Sequence, residues 1–327
     1  MLSELRTSLD IDINQGSRLP QRRGTESKPK STEVVHWSNK NINHAIENVS
    51  NVLLPGIVGE KISDASHIVV VPALDISTTP FALLRPPGQG AHLIDRAAIT
   101  VAPSLYELGD GGRSWFGESA GKGSKSSPIG KALIVGNPKY FPDAKWYFPQ
   151  LPGAEREAQR AAHLLGTVPL LGSAATKREI IPMAKEASVL YLATHGVASE
   201  IEPLKSSFLA LSGNSIEESR WTALEIQKTR FKAKLAVLSA CQTGLGQVND
   251  AGVIGLARGF QISGVPRVLM SLWNVDDDST AALMDAFVSE LRSNYPSEAL
   301  RNAILTTRKE YDHPAHWAAF AHFGTIY

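Results

Sequence analysis

The feature that most constrains the fold is a series of short apolar segments that alternate with helical patterns. After residue 129 these segments, rich in Val, Leu, Ile and Ala, are 132–136, 189–193, 209–211, 235–239 and 268–272. Nearly continuous apolar runs of this length are typical of strands buried on both faces of a sheet. Helices are predicted at 153–165, 177–186, 222–229, 251–263, 278–292, 297–311 and 314–321. The alternation predicts an α/β fold in which helices flank a mainly parallel sheet.

Composition divides the chain of 327 residues into four parts. Residues 1–41 are polar with little periodicity, and they are predicted to form a flexible extension. Residues 42–108 contain a helical pattern and then strand-like runs, which predict a smaller folded half. These strand-like runs are 67–71, 81–84 and 98–102. Residues 109–128 hold six Gly and five Ser, a composition typical of a flexible linker or surface loop, and residues 129–327 carry the alternating pattern.

Charge and cysteine content exclude several classes of protein. The chain has 33 Lys and Arg against 32 Asp and Glu, so it offers no strong field for nucleic acid or for an anionic membrane surface. A single Cys cannot form an internal disulfide, which excludes a secreted scaffold held together by such bonds. No apolar run has the form of a signal peptide, and none approaches the ~20 residues of a membrane span. These observations predict a cytoplasmic protein.

Two of the predicted strands end beside reactive side chains. The strand 189–193 is followed by His195, and the strand 235–239 is followed by Cys241, the only Cys in the chain. In an open α/β sheet, ligands bind beyond the carboxyl ends of the strands. The interval between the two residues has room for one strand and one helix. Adjacent parallel strands would therefore bring this His and this Cys side by side.

Such a pair suits nucleophilic catalysis. A neighbouring imidazole lowers the pKa of a thiol or takes its proton during attack, and it can then protonate a leaving amine. The backbone N–H groups of Gly196 and Cys241 would stabilise an oxyanion. The alternative is that Cys241 is a buried structural thiol and His195 a hydrogen-bonded residue at the sheet edge, which is the commoner situation for each residue alone. Their joint position at two strand ends favours catalysis.

The segments around His195 and Cys241 resemble the catalytic signature of the CHAT family, a group of caspase-like cysteine peptidases related to caspases, gingipains and separase. The two signature segments are Leu192–Gly196 and Val237–Gly246. Further blocks of similarity, in the family's order, are Pro80–Leu84, Ala102–Leu105, Val135–Pro138, Leu151–Glu157, Ala175–Thr176, Thr222–Ile226, Val253–Arg258, Ser271–Asp277 and His313–Phe320. The resemblance covers roughly residues 42–327, and several ordered blocks are more specific than one short motif.

The resemblance implies a cysteine endopeptidase with Cys241 as the nucleophile and His195 as the general base and acid. Peptide bonds of a protein or peptide substrate would be hydrolysed through an acyl-enzyme thioester, and no cofactor would be needed. It also implies that a degenerate caspase-like half, 42–108, packs against the catalytic caspase-like half, 129–327. The alternative function is a catalytically silent or partner-activated adaptor that uses the same fold to bind proteins. A regulatory protein partner fits either function.

An acidic cluster at 276–278 bears on substrate preference. Similarity to separase implies that Asp277 lies at the floor of the S1 pocket, where a carboxylate would bind a basic P1 side chain through charged hydrogen bonds. The other interpretation is that these acidic residues favour the start of a helix, with Asp278 or Ser279 as its N-cap. His313 and His316 are too few to form a zinc site and are interpreted as structural, so no metal is predicted.

Overall fold

The computed structural model describes residues 5, 39–72, 76–105, 115–116, 129–142, 148–197, 199, 202–239, 248–249, 252–253, 255–273 and 277–326. The strands are β1 His67–Val70, β2 Ala98–Val101, β3 Ala132–Pro138, β4 Leu170–Gly172, β5 Val189–Ala193, β6 Gly196–Val197, β7 Phe208–Ala210, β8 Arg220–Thr222, β9 Leu235–Ser239, β10 Val248–Asn249, β11 Gly252–Val253, β12 Arg267–Ser271 and β13 Phe320–Gly324. The helices are α1 Asn39–Leu53, α2 Gly56–Lys61, α3 Leu93–Arg96, α4 Pro152–Leu165, α5 Lys177–Glu186, α6 Pro203–Ser206, α7 Ile216–Ser219, α8 Ala223–Lys228, α9 Leu256–Ile262, α10 Asp277–Glu290, α11 Pro296–Thr307 and α12 Pro314–Trp317.

Eight of the strands form one sheet in the order β1-β2-β13-β12-β9-β5-β3-β4. Strands β4, β3, β5, β9 and β12 are mutually parallel, and we call them the parallel block. Strand β13 runs antiparallel to β12, and β2 and β1 follow the direction of β13. We call β13, β2 and β1 the reversed block. The predicted α/β fold with a mainly parallel sheet is therefore confirmed.

Burial on both faces explains why the strands of the parallel block have continuous apolar sequences. Every residue of β3, β5 and β12 is buried, as are four of the five residues of β9. Helix α4 packs closely on β3, where Gly136 allows the approach. A Cβ atom at Gly136 would lie 2.3 Å from the Cβ atom of Ala158, which is far too close for two carbon atoms.

Three sequence-based assignments differ from the structure. The run Phe81–Leu84, predicted as a strand, contains a buried 3₁₀ helix at Phe81–Leu83, because a short apolar run does not distinguish a strand from a buried helical turn. The helix predicted at 314–321 ends at Trp317, and the chain then forms strand β13. The helix predicted at 251–263 begins only at Leu256, after the short strand β11.

Segments on both sides of the Gly/Ser-rich stretch contribute to the one sheet. Strand β2 pairs with β13 through Val101 and Phe323, so the sheet continues from 129–327 into 42–108. The division into two caspase-like halves stays a prediction. Within 109–128, Trp115 and Phe116 are described, and both belong to the main hydrophobic core. Leu5, in the predicted extension, is helical and also belongs to that core.

A small antiparallel sheet, β6-β7-β8, follows directly after the end of β5. It carries a second apolar cluster, formed by Val197, Phe208 and Ala210 with Tyr140 and Phe148 packed against them. This cluster is separate from the main core. Among the described helices, none has both the length and the apolar character that a bilayer crossing requires.

Candidate active site

The register between β5 and β9 determines which residues meet at the carboxyl edge of the parallel block. The two strands are adjacent and parallel, and their last residues, Ala193 and Ser239, pair with each other. Counted from that pair, His195 and Cys241 are each two residues further along the chain. His195 is described and lies just beyond β5, whereas Cys241 lies outside the described residues.

His195 is held by the backbone carbonyl of Pro149. The distance between His195 Nε2 and Pro149 O is 2.8 Å. A carbonyl oxygen only accepts, so Nε2 carries the proton and donates it in this hydrogen bond. In the neutral imidazole the lone pair is then on Nδ1. The side chain is therefore fixed as a base whose acceptor atom is Nδ1.

Two aromatic rings contact the His195 imidazole. The ring centroid of Tyr140 lies 4.9 Å from that of His195, and the centroid of Phe148 lies 5.2 Å from it. Tyr140 Oη is 3.2 Å from Thr194 Oγ1, and Thr194 Oγ1 donates to the carbonyl of Ala210 at 2.6 Å. Because the Thr194 hydroxyl proton is used in that bond, the Tyr140 hydroxyl is the donor to Thr194. These contacts restrict the orientation of the imidazole.

The surroundings of His195 favour its neutral form. Burial lowers the pKa of His195 below its usual value, and the hydrogen bond to the Pro149 carbonyl opposes part of that change. Burial dominates, because removing water from around an imidazolium ion disfavours the charged form. At neutral pH the imidazole can therefore accept a proton.

Gly196 directs its backbone N–H away from strand β7. Gly196 pairs with Leu209, while the N–H of Ala210 donates to the carbonyl of His195 at 2.8 Å. In an antiparallel ladder this pattern makes Gly196 and Leu209 a non-hydrogen-bonded pair, whose own N–H and C=O groups point outward. The N–H of Gly196 thus points to the side of β6 opposite β7.

Asp277 is the first residue of helix α10, which follows β12 at the same edge of the sheet. The predicted N-cap at Asp278 or Ser279 is wrong, because the helix begins at Asp277 and both residues lie in its first turn. The exact ends of a helix are its least well-defined residues. Asp278 is 79% exposed, with Oδ1 3.9 Å from Arg156 Nη2. Ser279 is buried, and its Oγ lies 3.2 Å from His316 Nδ1.

The two histidines near the C-terminus have contacts within their own segment. His313 Nδ1 accepts the N–H of Ala315 at 3.2 Å, where helix α12 begins. The rings of His313 and His316 have their centroids 6.1 Å apart. Across the described parts of the chain, no group of three or more His, Cys, Asp or Glu side chains could hold a metal ion.

Several residues around His195 have no role in the sequence-based prediction. Tyr140, Phe148 and Pro149 all lie in the connection between β3 and α4. Pro149 acts through a backbone carbonyl, which every residue type possesses, so no sequence signal identifies it. The two similarity blocks Val135–Pro138 and Leu151–Glu157 flank this connection, and they were the one indication that it matters.

Two solved structures share the fold of this chain. The chain is similar to the Arg-specific cysteine proteinase gingipain R (RgpB), with a TM-score of 0.55 and 11% identity, over 89% of this chain and 68% of that one. It is also similar to separase of Saccharomyces cerevisiae, solved in complex with securin, with a TM-score of 0.53 and 15% identity, over 80% of this chain and 16% of that one. The fold is therefore that of the caspase-like cysteine peptidases.

The profile of the CHAT domain family matches residues 44–325. The chain belongs to the CHAT domain family. Among curated proteins it is similar to tetratricopeptide repeat protein 28 of Homo sapiens, with 29% identity over 79% of this chain, and to the Mus musculus protein of that name, with 28% identity over the same share. The chain spans 12% of the length of these relatives.

Proposed function

We propose that the protein is a cysteine endopeptidase in which Cys241 is the nucleophile and His195 is the general base and acid. The observation that carries the proposal is the register of β5 and β9 together with the tautomer of His195. Adjacent parallel strands lie about 4.8 Å apart. Because Ala193 pairs with Ser239, strands β5 and β9 end side by side at the edge of the sheet. We therefore expect Cys241, two residues after Ser239, to reach the imidazole of His195, two residues after Ala193.

The reaction begins with proton transfer from the Cys241 thiol to His195 Nδ1 and attack of the sulfur on the scissile carbonyl carbon. The negative charge that develops on the carbonyl oxygen is stabilised by the backbone N–H groups of Gly196 and Cys241. The outward direction of the Gly196 N–H supports this assignment. When the C–N bond breaks, the amine leaves with the proton that the imidazolium returns.

Hydrolysis of the thioester repeats these steps with water. His195 Nδ1 takes a proton from the water molecule as its oxygen attacks the acyl carbon, and the C–S bond then breaks. The departing sulfur recovers the proton from the imidazolium, which regenerates the thiol and the neutral imidazole. The Pro149 carbonyl has two roles here, since it keeps Nδ1 available as the base and stabilises the imidazolium formed in each half-reaction.

A basic P1 side chain is the proposed substrate preference, with Asp277 as its partner. Helix α10 begins at the carboxyl edge of the parallel block, one strand away from β9. A carboxylate there would accept paired hydrogen bonds from an arginine side chain. Gingipain R, which shares the fold, is described as Arg specific. The proposal thus assigns the recognition of a basic P1 side chain to Asp277.

Covalent labelling with peptides that carry a thiol-reactive warhead tests the nucleophile. Wild-type protein should be labelled at Cys241, Cys241→Ala should not be labelled, and His195→Ala should be labelled far more slowly. Equal labelling of Cys241→Ala and wild type would contradict the nucleophile assignment. No labelling of the wild type, with or without candidate partner proteins, would favour the adaptor function.

Comparison of Arg, Lys and Leu at P1 tests the substrate preference. Asp277→Asn should reduce the preference for Arg over Leu by about 10-fold or more, the loss expected for one charged hydrogen-bonded pair. Asp278→Asn is the matched control, because Asp278 is the next carboxylate along the helix and is largely exposed. A preference that is unchanged by Asp277→Asn, or that is changed equally by both substitutions, would rule out the role of Asp277.

A further inference from the structure

Asn137 has a strained backbone next to the end of strand β3. Its φ angle is +42°, and the only other described residue besides glycine with a positive φ is Glu202. Left-handed backbone is unfavourable for residues with a side chain, although Asn tolerates it better than most. Such strain persists where surrounding contacts hold it, and it is frequent beside functional sites. Asn137 is 6% exposed and lies on the strand adjacent to β5.

Both ends of the Asn137 amide are used in hydrogen bonds. Its Oδ1 accepts the backbone N–H of Leu151 at 2.7 Å, and its Nδ2 donates to Glu155 Oε2 at 3.0 Å. These partners settle the orientation of the amide, since an N–H requires the oxygen and a carboxylate requires the NH₂ group. The side chain therefore connects the end of β3 to the first turn of α4.

This connection acts on the catalytic base through a short stretch of chain. Leu151 is two residues after Pro149, whose carbonyl accepts the hydrogen bond from His195 Nε2 at 2.8 Å. The other end of the same β3–α4 connection is fixed independently, because the N–H of Lys139 donates to Ser212 Oγ at 2.8 Å. Ser212 Oγ in turn donates to the carbonyl of Gly172 at 2.6 Å.

We propose that Asn137 is a positioning residue: by holding Leu151 it fixes the Pro149 carbonyl, and through that carbonyl it keeps His195 in the tautomer with the proton on Nε2. The strained φ of Asn137 is the conformation from which its side chain reaches both Leu151 and Glu155. The effect on reaction rate rests on the proposed function. The effect on the tautomer of His195 does not.

The test measures the imidazole directly by ¹⁵N NMR of His195, assigned by comparison with His195→Gln. Wild-type protein should show the pattern of an Nε2–H tautomer. In Asn137→Ala the pattern should move toward a mixture of tautomers, and the pKa of His195 should fall, because the lost hydrogen bond to Pro149 is the contact that raises it. The acid limb of the pH–rate profile should move to lower pH with it.

Two further variants separate positioning from stability. Asn137→Gly removes the side chain but adopts positive φ without strain, so it should lose the Nε2–H tautomer of His195 while losing less thermal stability than Asn137→Ala. Glu155→Gln keeps an acceptor for Asn137 Nδ2 and should keep the Nε2–H tautomer. Gln159→Ala, an exposed change on the same helix α4, is the control for unrelated changes. We expect kcat/KM to fall about 10- to 100-fold in Asn137→Ala and Asn137→Gly.

The outcomes are distinguishable. A wild-type tautomer and pKa of His195 in both Asn137→Ala and Asn137→Gly would overturn the positioning role. If wild-type protein is not labelled by any peptide probe, the proposed peptidase function fails, whereas the NMR result still decides whether Asn137 positions His195.

Discussion

The parallel block and the reversed block share one sheet and are buried to a similar extent, yet two pairs of their polar residues lie in different places. Strands β2 and β13 are nearly as enclosed as β5 and β9. In the parallel block, Asn137 and His195 lie at or just beyond the carboxyl ends of their strands. In the reversed block, Thr100 and His322 lie inside their strands. Because β13 runs antiparallel to β12, the carboxyl ends of the two blocks also point to opposite edges of the sheet.

Two histidines make the contrast concrete. His195 contacts a carbonyl and two aromatic rings at the edge of the sheet. His322 is 1% exposed, and its Nδ1 lies 3.1 Å from Thr100 Oγ1, which also lies 2.9 Å from His67 Nε2. Burial, and then the charges of Arg267 and His67, hold the pKa of His322 well below its usual value. Position along a strand thus separates a candidate base from a residue that ties strands together.

The largest expected effect is on activity, and it should follow a substitution in the parallel block but not one in the reversed block. His195→Ala should reduce the rate of probe labelling by about 10³-fold, the range for loss of a general base, and it should leave the free energy of unfolding close to that of the wild type. His322→Asn should have the opposite result, with lower stability and a labelling rate near the wild type. Parallel labelling and urea-unfolding measurements check both halves. A labelling rate that falls equally in the two variants would remove the distinction between the blocks.

A glycine in the reversed block should give the largest loss of stability. Gly324 has φ +113°, and a Cβ atom there would lie 1.9 Å from the carbonyl oxygen of Pro266. Gly324→Ala should therefore cost about 3 kcal/mol or more in urea unfolding, because strand β13 must shift away from β12. Gly166, which ends α4 beside the parallel block, has φ +70° with no neighbour within 4 Å of a Cβ atom. Gly166→Ala is the matched control and should cost only about 1 kcal/mol. Similar costs in the two variants would show that backbone angle, and not the contact with Pro266, is responsible.

Loss of the hydroxyl that connects the strands of the reversed block should have an intermediate effect. Thr100→Val keeps the shape of the side chain but removes the contact with both His67 Nε2 and His322 Nδ1. The loss of this partner leaves a buried imidazole nitrogen without its hydrogen bond, which should reduce the free energy of unfolding by about 1–3 kcal/mol. Thr100→Ser, which keeps the hydroxyl, should recover part of that loss. Valine and serine variants of equal stability would mean that the hydroxyl contributes nothing.

The smallest expected effect is the pH dependence that His322 adds to stability. In the folded state its pKa lies below the value near 6.5 of an unfolded His, so below pH ~6.5 the unfolded chain binds a proton that the folded chain does not. Stability contributed by His322 is therefore complete above that pH and falls as the pH drops, by up to about 1.4 kcal/mol per unit. His322→Asn should flatten the pH dependence measured by urea unfolding between pH 7 and pH 5. His67, His92 and His195, whose pKa values burial also lowers, should leave a residual slope. An unchanged slope would contradict the role of His322.

The sequence predicted most strands of both blocks and missed β4 and β13. Strands β5 and β9 are predicted with the bounds that the structure gives, because their buried apolar runs are flanked by clear helical patterns. The first two residues of strand β13 were predicted as the end of a helix, and its other residues had no predicted structure. Its residues form a strand because they pair with β12 on one side and with β2 on the other. Pairing with a strand as distant in the chain as β2 leaves no pattern in the local sequence.

The sequence by itself determined the fold class and the family, and it predicted His195 and Cys241 as the reactive pair, since these inferences depend on local patterns and on residue types that only certain reactions use. Only the tertiary structure decided that Ala193 pairs with Ser239, that the Pro149 carbonyl holds His195, and that Asn137 connects that carbonyl to the sheet. A register is a relation between two segments, and a carbonyl group is common to every residue. Neither can be assigned until the chain is folded.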